Sequence, residues 1–582
     1  MRGASSNEGA SRARRRRGRS SGQGDAPSFD DSMAKLYVFM LILLLTVAAR
    51  LVWFQVIKGH EYSAAAQNHR TFDIALHAHR GTIYDRNGNA LAISIDAKTV
   101  CCDPSQVNDP SAVTTLLVKH LGGERGDYLG MLCTDDSFCY IARAIDVEKA
   151  EALEKELDDN ELTGVYFVDD TRRDYPYGDV AGQLLGIVGI DGDGLTGLEY
   201  YYDDILKGED GTMVVETGLD GIPIAGAKNS VQEAKDGSDI VTSIDIDTQM
   251  VAESKIAEAT KEFKAESGSV VVTDPRTGEI LAACSTPLLP ISNYDKMEEG
   301  SENLKPVNSA YEPGSIFKIL TSAIGINHDD VTPWTTYTVP AEVKVGSDYV
   351  SDDDGRDYTM TMSLTEMMRR SSNAGMATVA QESIGARAFA KGVESFGIGQ
   401  KTGIDFPGEE VGIVRPLESY DGSTLGSMSF GQGLAIPMIQ MVRAVGVVAN
   451  GGYLCTPHFA VSKGGEDVEW PKSEQIISKQ TCDETTQMMR TVVREGTAVN
   501  ANVDGYDVAG KTGTGEQAGE DGSYKANCFV SSLVGFAPAS DPAVLVYVGL
   551  NYTPYLAYGS AAPTFSYIMN EALTNMGVPP EY

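Results

Sequence analysis

Histidine, cysteine and tryptophan are scarce in this chain of 582 residues, which contains 7 His, 8 Cys and 3 Trp. No Cys-x-x-Cys or His-Glu-x-x-His pattern occurs, so the sequence gives no support for a metal site, and we expect neither a metal nor a cofactor. Eight cysteines are too few to indicate a disulfide-stapled secreted protein. Cys133 and Cys139 could pair, and most of the others are expected to be small buried residues.

Positive charge is also in deficit, because 47 Lys and Arg face 82 Asp and Glu, giving a formal net charge of −35. This balance argues against nucleic-acid binding by the bulk of the chain. Positive charge is concentrated at the N-terminus, where Arg12, Arg14 to Arg17 and Arg19 lie in a Ser/Gly-rich tract. Such a tract cannot build a core, so we predict that residues 1–35 form a disordered tail.

Long apolar runs are rare as well, and one stands out from Leu36 to Ile57, interrupted only by Arg50 and Gln55. Its 22 positions match the roughly 20 residues that a helix needs to cross a bilayer. Positive charge before the span predicts a single-pass membrane protein with a cytoplasmic N-terminus and an extracytoplasmic body. A cleaved signal peptide ending near Ala49 is the alternative.

Ser315 and Lys318 form a Ser-x-x-Lys pair at the start of an apolar, helix-prone run that follows Glu312-Pro313-Gly314. Residues three apart on a helix lie on one face, with Cβ atoms about 5–6 Å apart, so the two side chains can touch. A serine at this point could simply cap the helix. The lysine favours a chemical role, because a lysine among apolar residues is rarely buried without one. A second Ser-x-x-Lys, from Ser32, lies at the edge of the apolar run.

Two later motifs could supply partners, Ser371-Ser372-Asn373 and Lys511-Thr512-Gly513-Thr514. The second motif lies at the end of a strand-like segment over residues 506–514, and strand-like runs follow over residues 529–536 and 543–548. We therefore predict an edge strand that carries Lys511 beside a sheet. Another Lys-Thr-Gly begins at Lys401, but loop-forming residues follow it, and we set it aside.

The nucleophile that these motifs indicate needs a base, because a serine hydroxyl is a weak nucleophile at neutral pH. No histidine lies within the motifs, so Lys318 is predicted to act as the base in its uncharged form. Burial and a neighbouring like charge both lower the pKa of a lysine. We expect Lys511 to be that neighbouring charge.

In this order, the three motifs resemble the signature of the penicillin-binding proteins, specifically the monofunctional class B transpeptidases that cross-link bacterial peptidoglycan. The resemblance extends over roughly residues 36 to 575. Further segments that are similar to landmarks of this family are Arg80 to Gly88, Arg173 to Pro176, Gly186 to Glu199, Ser429 to Gly433 and Asn450 to Gly452.

The resemblance implies that Ser315 attacks the penultimate D-Ala carbonyl of a peptidoglycan stem peptide and releases the terminal D-Ala, and that β-lactam antibiotics mimic this donor. It implies that Ser371 relays protons, that Asn373 holds the peptide backbone of the substrate, and that the backbone N–H groups of Ser315 and Thr514 form an oxyanion hole. The implied catalytic residues are Ser315, Lys318, Ser371 and Lys511, and the implied substrate-binding residues are Asn373, Thr512, Gly513 and Thr514, with the two threonines receiving the terminal carboxylate.

The implied fold is α+β, an antiparallel sheet packed between helices as in penicillin-binding and serine β-lactamase-like transpeptidase domains, with an elongated α/β pedestal domain and one transmembrane helix. We expect a tail at 1–35, an anchor at 36–57, a pedestal or dimerisation domain at 58–235 and a transpeptidase domain at 236–582. Within these, the patterns predict helices over Val147 to Leu157, Met250 to Glu266 and Thr564 to Met576, and a hairpin of residues 269–274 with 279–283.

The resemblance further implies a role in septal wall synthesis, with a membrane-embedded glycan polymerase and other division proteins as partners. The alternative is a β-lactam-binding sensor or a division scaffold whose catalysis is dispensable. Hydrolysis of lactams is disfavoured, because no Glu-x-x-Leu-Asn occurs between Asn373 and Lys511.

Overall fold

The computed structural model describes residues 29–58, 71–136, 138–216, 230–518 and 524–582. The predicted disordered tail therefore lies outside the described residues as far as position 28. A helix spans Phe29–Val52 and continues through one wider π-helical turn, Trp53–Ile57. Its apolar part, Met33–Ile57, is 25 residues long and is a candidate membrane span, which fits the predicted anchor and begins three residues before it.

The chain divides into two compact units, one of Met1–Ile74 and Met213–Val231, the other of Ala75–Thr212 and Gln232–Tyr582. The first unit contains the apolar helix. A small sheet is built from the strands Thr71–Leu76, Gly211–Glu216 and Ser230–Gln232. The remaining elements described below belong to the second unit.

The N-terminal part of the second unit contains a mixed sheet whose long strand Ala90–Cys102 pairs with Cys139–Asp146 and with Val165–Asp174. The short strand Ile83–Tyr84 pairs with Ala90–Cys102 and also, in parallel, with Ile240–Thr242. The sheet continues through Ala460–Lys463 to Glu466–Asp467. The segments predicted as pedestal and transpeptidase domain thus contribute strands to one common sheet. The helices of this part are Pro110–Leu121, Arg125–Leu132, Val147–Asp159, Gly182–Leu185, Gly197–Tyr201 and Asp203–Leu206.

A buried ion cluster holds three separate landmark segments of this part together. Glu199, whose side chain is 0% exposed, accepts from Arg80 Nε at 2.5 Å and from Arg173 Nε at 2.7 Å. Arg80 Nη1 also donates to Asp203 Oδ1 at 2.6 Å. Removing one partner from a buried pair leaves an uncompensated charge, at a cost of about 3–5 kcal/mol, so the cluster fixes how these segments meet.

The central sheet has five antiparallel strands in the order Ile280–Ser285, Ser267–Thr273, Val544–Thr553, Tyr524–Ala537 and Ala509–Ala518. Every residue of Ser267–Thr273 is buried, which requires cover on both faces of the sheet. Helices Ile246–Glu262 and Ala561–Asn575 pack on each other and on the sheet, and Lys479–Glu495 packs on the strand Ala509–Ala518. The predicted fold class is confirmed, and the strand that carries Lys511 lies at the sheet edge, as predicted.

The other helices after residue 300 are Lys305–Asn308, Lys318–Asn327, Leu364–Arg370, Asn373–Val379, Gly385–Ser395, Thr424–Met428 and Met438–Ala449. Short two-stranded pairs join Ala310–Tyr311 with Ile436–Pro437, Thr336–Val339 with Met360–Ser363, Glu342–Val345 with Asp348–Ser351, and Tyr453–Cys455 with Lys472–Gln475. Most of the largest hydrophobic cluster lies in this part of the chain.

Three of the predicted elements are confirmed with small changes at their ends. The hairpin pairs Ile280 with Thr273 and Ser285 with Ser269, and the helices Val147–Asp159 and Ala561–Asn575 match their predictions. The helix predicted from Met250 instead begins at Ile246 and ends at Glu262. Asp245 caps its start by accepting from Thr248 N at 2.9 Å, and this cap explains the earlier beginning.

All eight cysteines lie in the described part of the chain, and Cys133 and Cys139 carry free thiols. Five of them are buried, namely Cys101, Cys102, Cys284, Cys455 and Cys482. Most of the cysteines are therefore buried, as predicted, and the suggested Cys133–Cys139 pair is not formed in this structure.

Candidate active site

Ser315 lies in a tight 3₁₀ turn, Gly314–Phe317, that leads directly into the helix Lys318–Asn327. Side chains three apart are eclipsed in a 3₁₀ turn, closer than on the α-helix that we predicted. Ser315 Oγ and Lys318 Nζ are 2.8 Å apart. Both residues are buried, Ser315 with 7% exposure and Lys318 with 0%. The expected contact is present, and the tighter turn accounts for it.

Lys318 is surrounded by oxygen atoms from the second motif. Its Nζ donates to the backbone oxygen of Ser371 and to Asn373 Oδ1, both at 2.6 Å, and lies 3.2 Å from Ser371 Oγ. A buried lysine without such partners would be strongly unfavourable. The predicted residues Ser315, Lys318, Ser371 and Asn373 thus form one connected hydrogen-bond network.

The second motif owes its shape to the joint between two short helices. Leu364–Arg370 ends at Ser371, which has a left-handed backbone with φ 61° and ψ 38°, a conformation that costs a non-glycine residue roughly 1–2 kcal/mol. Ser372 then caps Asn373–Val379 by accepting from Gly375 N at 2.9 Å. The reversal places both Ser371 and Asn373 next to Lys318.

Lys511 reaches the same point from the sheet. Its Nζ donates to Ser371 Oγ at 2.9 Å and to the backbone oxygen of Thr512 at 2.8 Å, and the side chain is fully buried. The candidate site is therefore a seam between the helical part and the edge strand Ala509–Ala518.

The two lysines differ in what sets their charge. Burial lowers the pKa of Lys318 to about 7, while the carboxylates of Asp353 and Asp352 act to raise it. Burial and the charge on Lys318 together hold the pKa of Lys511 well below its ordinary value. The expected uncharged amine is supported, but the like-charge effect acts on Lys511 rather than on Lys318.

The rest of the third motif lies beside the turn that carries Ser315. A Cβ on Gly513 would lie 2.5 Å from Ser532 Oγ and 2.9 Å from Ile316 Cγ1, so only glycine allows this turn to pack so closely against the strand. Thr512 Oγ1 lies 2.7 Å from Thr497 Oγ1. Thr514 is partly exposed on the same strand, which leaves its side chain accessible.

Sequence reasoning missed Thr497 and the loop that follows the strand Asp348–Ser351. Asp352 accepts from Ser372 Oγ at 2.8 Å and from Ala374 N at 3.0 Å, and Asp353 accepts from Asn373 Nδ2 at 3.1 Å. Three consecutive aspartates in a polar stretch suggest a solvated loop, and only the fold brings them under the second motif. Thr497 follows a helix without any motif of its own.

The other copies of the motifs lie in different structural settings. Lys401 lies in an irregular segment, where Thr402 donates to Glu409 Oε1 through both its hydroxyl and its backbone N–H. Ser32 lies within the apolar helix Phe29–Val52. Within the described ranges, no group of three or more His, Cys, Asp or Glu side chains is placed to hold a metal ion.

Two family models match the chain. The model of the penicillin-binding protein transpeptidase domain matches residues 268–570, which include all three motifs. The model of the penicillin-binding protein dimerisation domain matches residues 75–242.

Individual relatives match over most of their length. The chain is 33% identical to stage V sporulation protein D of Bacillus subtilis (strain 168), over 93% of this chain and 85% of the relative. A crystal structure from Atopobium parvulum DSM 20469, provisionally named a peptidoglycan glycosyltransferase, is 43% identical with a TM-score of 0.69, covering 88% of this chain and 100% of that one. Penicillin binding protein 3 from Mycobacterium tuberculosis, complexed with aztreonam, is 26% identical with a TM-score of 0.67, covering 87% and 98%.

The transpeptidase model alone spans more than half of the 582 residues, and it coincides with the sheet and helices that assemble the Ser315, Ser371 and Lys511 motifs. The chain therefore belongs to the class B penicillin-binding proteins, the monofunctional peptidoglycan D,D-transpeptidases.

Proposed function

We propose that this protein cross-links peptidoglycan stem peptides through an acyl-enzyme on Ser315. The observation that carries the proposal is the 2.8 Å contact between Ser315 Oγ and Lys318 Nζ, at a lysine whose pKa burial lowers to about 7. A large fraction of Lys318 is then uncharged at neutral pH, and it can accept the hydroxyl proton as Ser315 attacks.

In the first step, Ser315 Oγ bonds to the penultimate D-Ala carbonyl carbon while Lys318 takes the hydroxyl proton. The tetrahedral intermediate collapses, the amide C–N bond breaks, and the nitrogen of the terminal D-Ala leaves with a proton. Ser371 Oγ is hydrogen-bonded to Lys511 and close to Lys318, so it is placed to pass this proton on. The products are the ester on Ser315 and free D-Ala.

In the second step, an uncharged amine of a neighbouring stem attacks the ester carbonyl, and its proton returns through the same groups to Ser315 Oγ. We assign Thr512 and Thr514 to the terminal carboxylate of the donor, Gly513 to close packing of the strand, and Asn373 to the peptide backbone of the donor. The backbone N–H groups of Ser315 and Thr514 would stabilise the oxyanion, each donor being worth about 2.7–4 kcal/mol in other serine enzymes.

β-Lactams are inhibitors of this protein in the same scheme, because their ring amide occupies the place of the D-Ala–D-Ala bond and the leaving nitrogen stays tethered. The Mycobacterium tuberculosis relative has been solved in complex with aztreonam. The name of the Atopobium parvulum relative points instead to glycan polymerisation. Neither of the two matching family models describes that activity, and the site geometry is that of acyl transfer.

We further propose that Met33–Ile57 anchors the protein in the cell membrane, with the Arg-rich N-terminus in the cytoplasm and the catalytic residues outside. The segment 58–235 would then be a pedestal that carries partner-binding surface, and the partners would include a membrane-embedded glycan polymerase and other division proteins. The proposal of septal synthesis is supported by the family resemblance, while the Bacillus subtilis relative is named for sporulation. Imaging of a fluorescent fusion would distinguish the two, because label at sites other than the septum contradicts the division role.

The acyl-enzyme is tested with a fluorescent penicillin and peptide mapping by mass spectrometry. We expect one adduct, on Ser315, which is lost in Ser315→Ala and retained in the matched control Ser32→Ala. An adduct on another side chain, or persistent labelling of Ser315→Ala, would refute the assignment. Rescue of growth by Ser315→Ala would favour the scaffold alternative over essential catalysis.

A further inference from the structure

Asp353 contacts a substrate-binding residue from outside the three motifs. It lies in an exposed position after the strand Asp348–Ser351, and its Oδ1 accepts from Asn373 Nδ2 at 3.1 Å. Asn373 presents its other amide atom, Oδ1, to Lys318 Nζ at 2.6 Å. The Asp353 carboxylate, the Asn373 amide and the Lys318 amine are therefore connected by two consecutive hydrogen bonds.

The amide orientation matters because an uncharged lysine amine has two N–H donors and a single lone pair. Both the backbone oxygen of Ser371 and Asn373 Oδ1 can only accept, and each lies 2.6 Å from Lys318 Nζ. When both N–H groups are donated there, the lone pair remains for the Ser315 hydroxyl at 2.8 Å. This is the direction in which a general base must accept the proton.

The opposite amide orientation would disable this base. A rotation of the Asn373 amide by half a turn would place the Nδ2 donor against Lys318 and the amide oxygen against the Asp353 carboxylate. The amine would then accept from Asn373 and turn an N–H towards Ser315. Two acceptor oxygens would also face each other without a proton between them, which is unfavourable.

The loop that carries Asp353 is fixed to the motif by its neighbour. Asp352, which is buried, accepts from Ser372 Oγ at 2.8 Å, from Ala374 N at 3.0 Å and from Arg356 Nη2 at 3.1 Å. Arg356 in turn donates to the backbone oxygens of Val339 and Pro340. These contacts hold the loop against the start of the helix Asn373–Val379 and place the Asp353 carboxylate at the Asn373 amide.

We propose that Asp353 is a positioning residue for acylation: its carboxylate holds the Asn373 amide with the oxygen towards Lys318 and thereby leaves the lone pair of the amine for Ser315. The inference rests on the proposed function, since it assigns a residue to the base that the acyl transfer requires. It predicts that Asp353 acts only through Asn373, which separates it from a residue that merely supports the loop.

The charge of the Asp353 carboxylate provides a second measurement. A residue that merely supported the loop would not affect it. Among the described residues, the ionisable groups that interact with Lys318 are Asp352, Asp353 and Lys511, and both carboxylates raise the pKa of Lys318 against the larger effect of burial. Loss of the Asp353 charge should lower the pKa of Lys318 further. The midpoint of the rise of acylation with pH should therefore move to lower pH, even though the maximal rate falls.

The experiment measures acylation of the full-length, detergent-solubilised protein by a fluorescent penicillin from about pH 5.5 to 9. The variants are Asp353→Ala, Asp353→Asn, Asn373→Ala and the double variant Asp353→Ala with Asn373→Ala. Asp357→Ala is the matched control, because it removes an exposed carboxylate from the same segment and has no described hydrogen bond to the motif. Thermal unfolding of each variant confirms that it is folded.

We expect Asp353→Ala to lower the maximal acylation rate about tenfold in the native background, as for loss of a hydrogen bond to a charged group, and less than about twofold when Asn373 is already alanine. Asp353→Asn should lose less, because it keeps an acceptor oxygen, and both variants should shift the pH midpoint down. Equal losses in both backgrounds, an unchanged midpoint, or behaviour identical to Asp357→Ala would each overturn the inference. Absence of a Ser315 adduct in the unsubstituted protein would instead contradict the proposed function.

Discussion

The hydroxyl oxygen of Ser371 lies 2.9 Å from Lys511 Nζ. The same hydroxyl is 3.2 Å from Lys318 Nζ, so one oxygen joins the two buried lysines across the seam between helices and sheet. In the proposed mechanism, a proton taken from Ser315 by Lys318 passes to the leaving nitrogen through this oxygen. The left-handed backbone of Ser371 directs this hydroxyl to a position between the two lysines.

Substitution Ser371→Ala should therefore impair proton transfer while keeping the backbone shape. We expect kcat for a peptide donor to fall about 100-fold, a typical loss for a general acid–base group, with little change in KM. Steady-state release of D-Ala measures both constants. Ser322→Ala is the control, because Ser322 is buried and its hydroxyl faces Met376 Sδ rather than a lysine; an equal loss in that variant would contradict the relay.

The pKa of Lys318 predicts how both activity and stability depend on pH. Acylation should rise through about pH 7, the pKa to which burial lowers this lysine, because only the uncharged amine accepts the proton.

Stability depends on the same group. In the unfolded chain, the pKa of Lys318 is the ordinary value of 10.5, so the unfolded state binds more protons than the folded state between about pH 7 and 10.5. The free energy of unfolding should then rise with pH across that window, because the folded protein no longer has to bury a charged amine. Below the window, Lys318 is charged in both states and this gain in stability is lost.

Lys318→Met tests the stability part of this argument. The variant removes the titrating group, so its free energy of unfolding should rise less steeply between about pH 7 and 9 than that of the native protein. Lys511 accounts for a residual slope, because its pKa is also lowered. Urea titrations at several pH values give the slopes, and identical slopes for the two proteins would show that Lys318 is charged when folded.

Thr497 is expected to support binding of the donor carboxylate through Thr512. Thr497→Val keeps the shape of the side chain and removes the 2.7 Å hydrogen bond between the two hydroxyl oxygens. One hydrogen bond is worth about 1 kcal/mol, so KM for a peptide donor should rise about fivefold, with kcat within about twofold. Thr491→Val, which removes a hydroxyl that donates to Met488 O within its own helix, should leave KM unchanged.

The sequence predicted those parts of the site that depend on local pattern. Ser315 and Lys318 were recognisable because three residues of spacing fix their contact, and Lys511 because apolar strands follow it. The chosen motif copies were distinguished by context: Lys511 lies in a strand with sheet partners, whereas Lys401 precedes Gly403 and a proline-containing loop.

The parts that could not be predicted depend on contacts between distant segments. Asp353 and Asn373 are 20 positions apart, Thr497 and Thr512 are 15 apart, and nothing in the local composition pairs them. Which of the two lysines lowers the pKa of the other likewise depends on burial and on the position of Asp353. Only the folded chain defines both. The Asp245 cap was readable in the sequence, and its omission displaced the predicted helix start by four residues.

Gly431 and Gly433 provide a matched test of how the Ser315 turn is held. Both have a left-handed backbone, with φ 84° and 75°, so alanine at either position adds a strain of roughly 1–2 kcal/mol. They differ in their surroundings: a Cβ on Gly431 would lie 2.0 Å from the backbone oxygen of Gly314, whereas a Cβ on Gly433 meets nothing within 4 Å. Gly314 N also donates to the backbone oxygen of Gly431 at 3.1 Å.

Gly433→Ala should therefore lower the melting temperature by a few degrees, about 2–4 °C per kcal/mol for domains of 150–250 residues, and leave penicillin acylation within about threefold. Gly431→Ala must also displace Gly314, the residue before the nucleophile, and a displacement of about 1 Å can cost 100-fold in rate. We expect acylation to fall at least that far in the Gly431 variant, even at temperatures where it remains folded. Equal acylation rates in the two folded variants would mean that the contact between Gly431 and Gly314 does not set the position of Ser315.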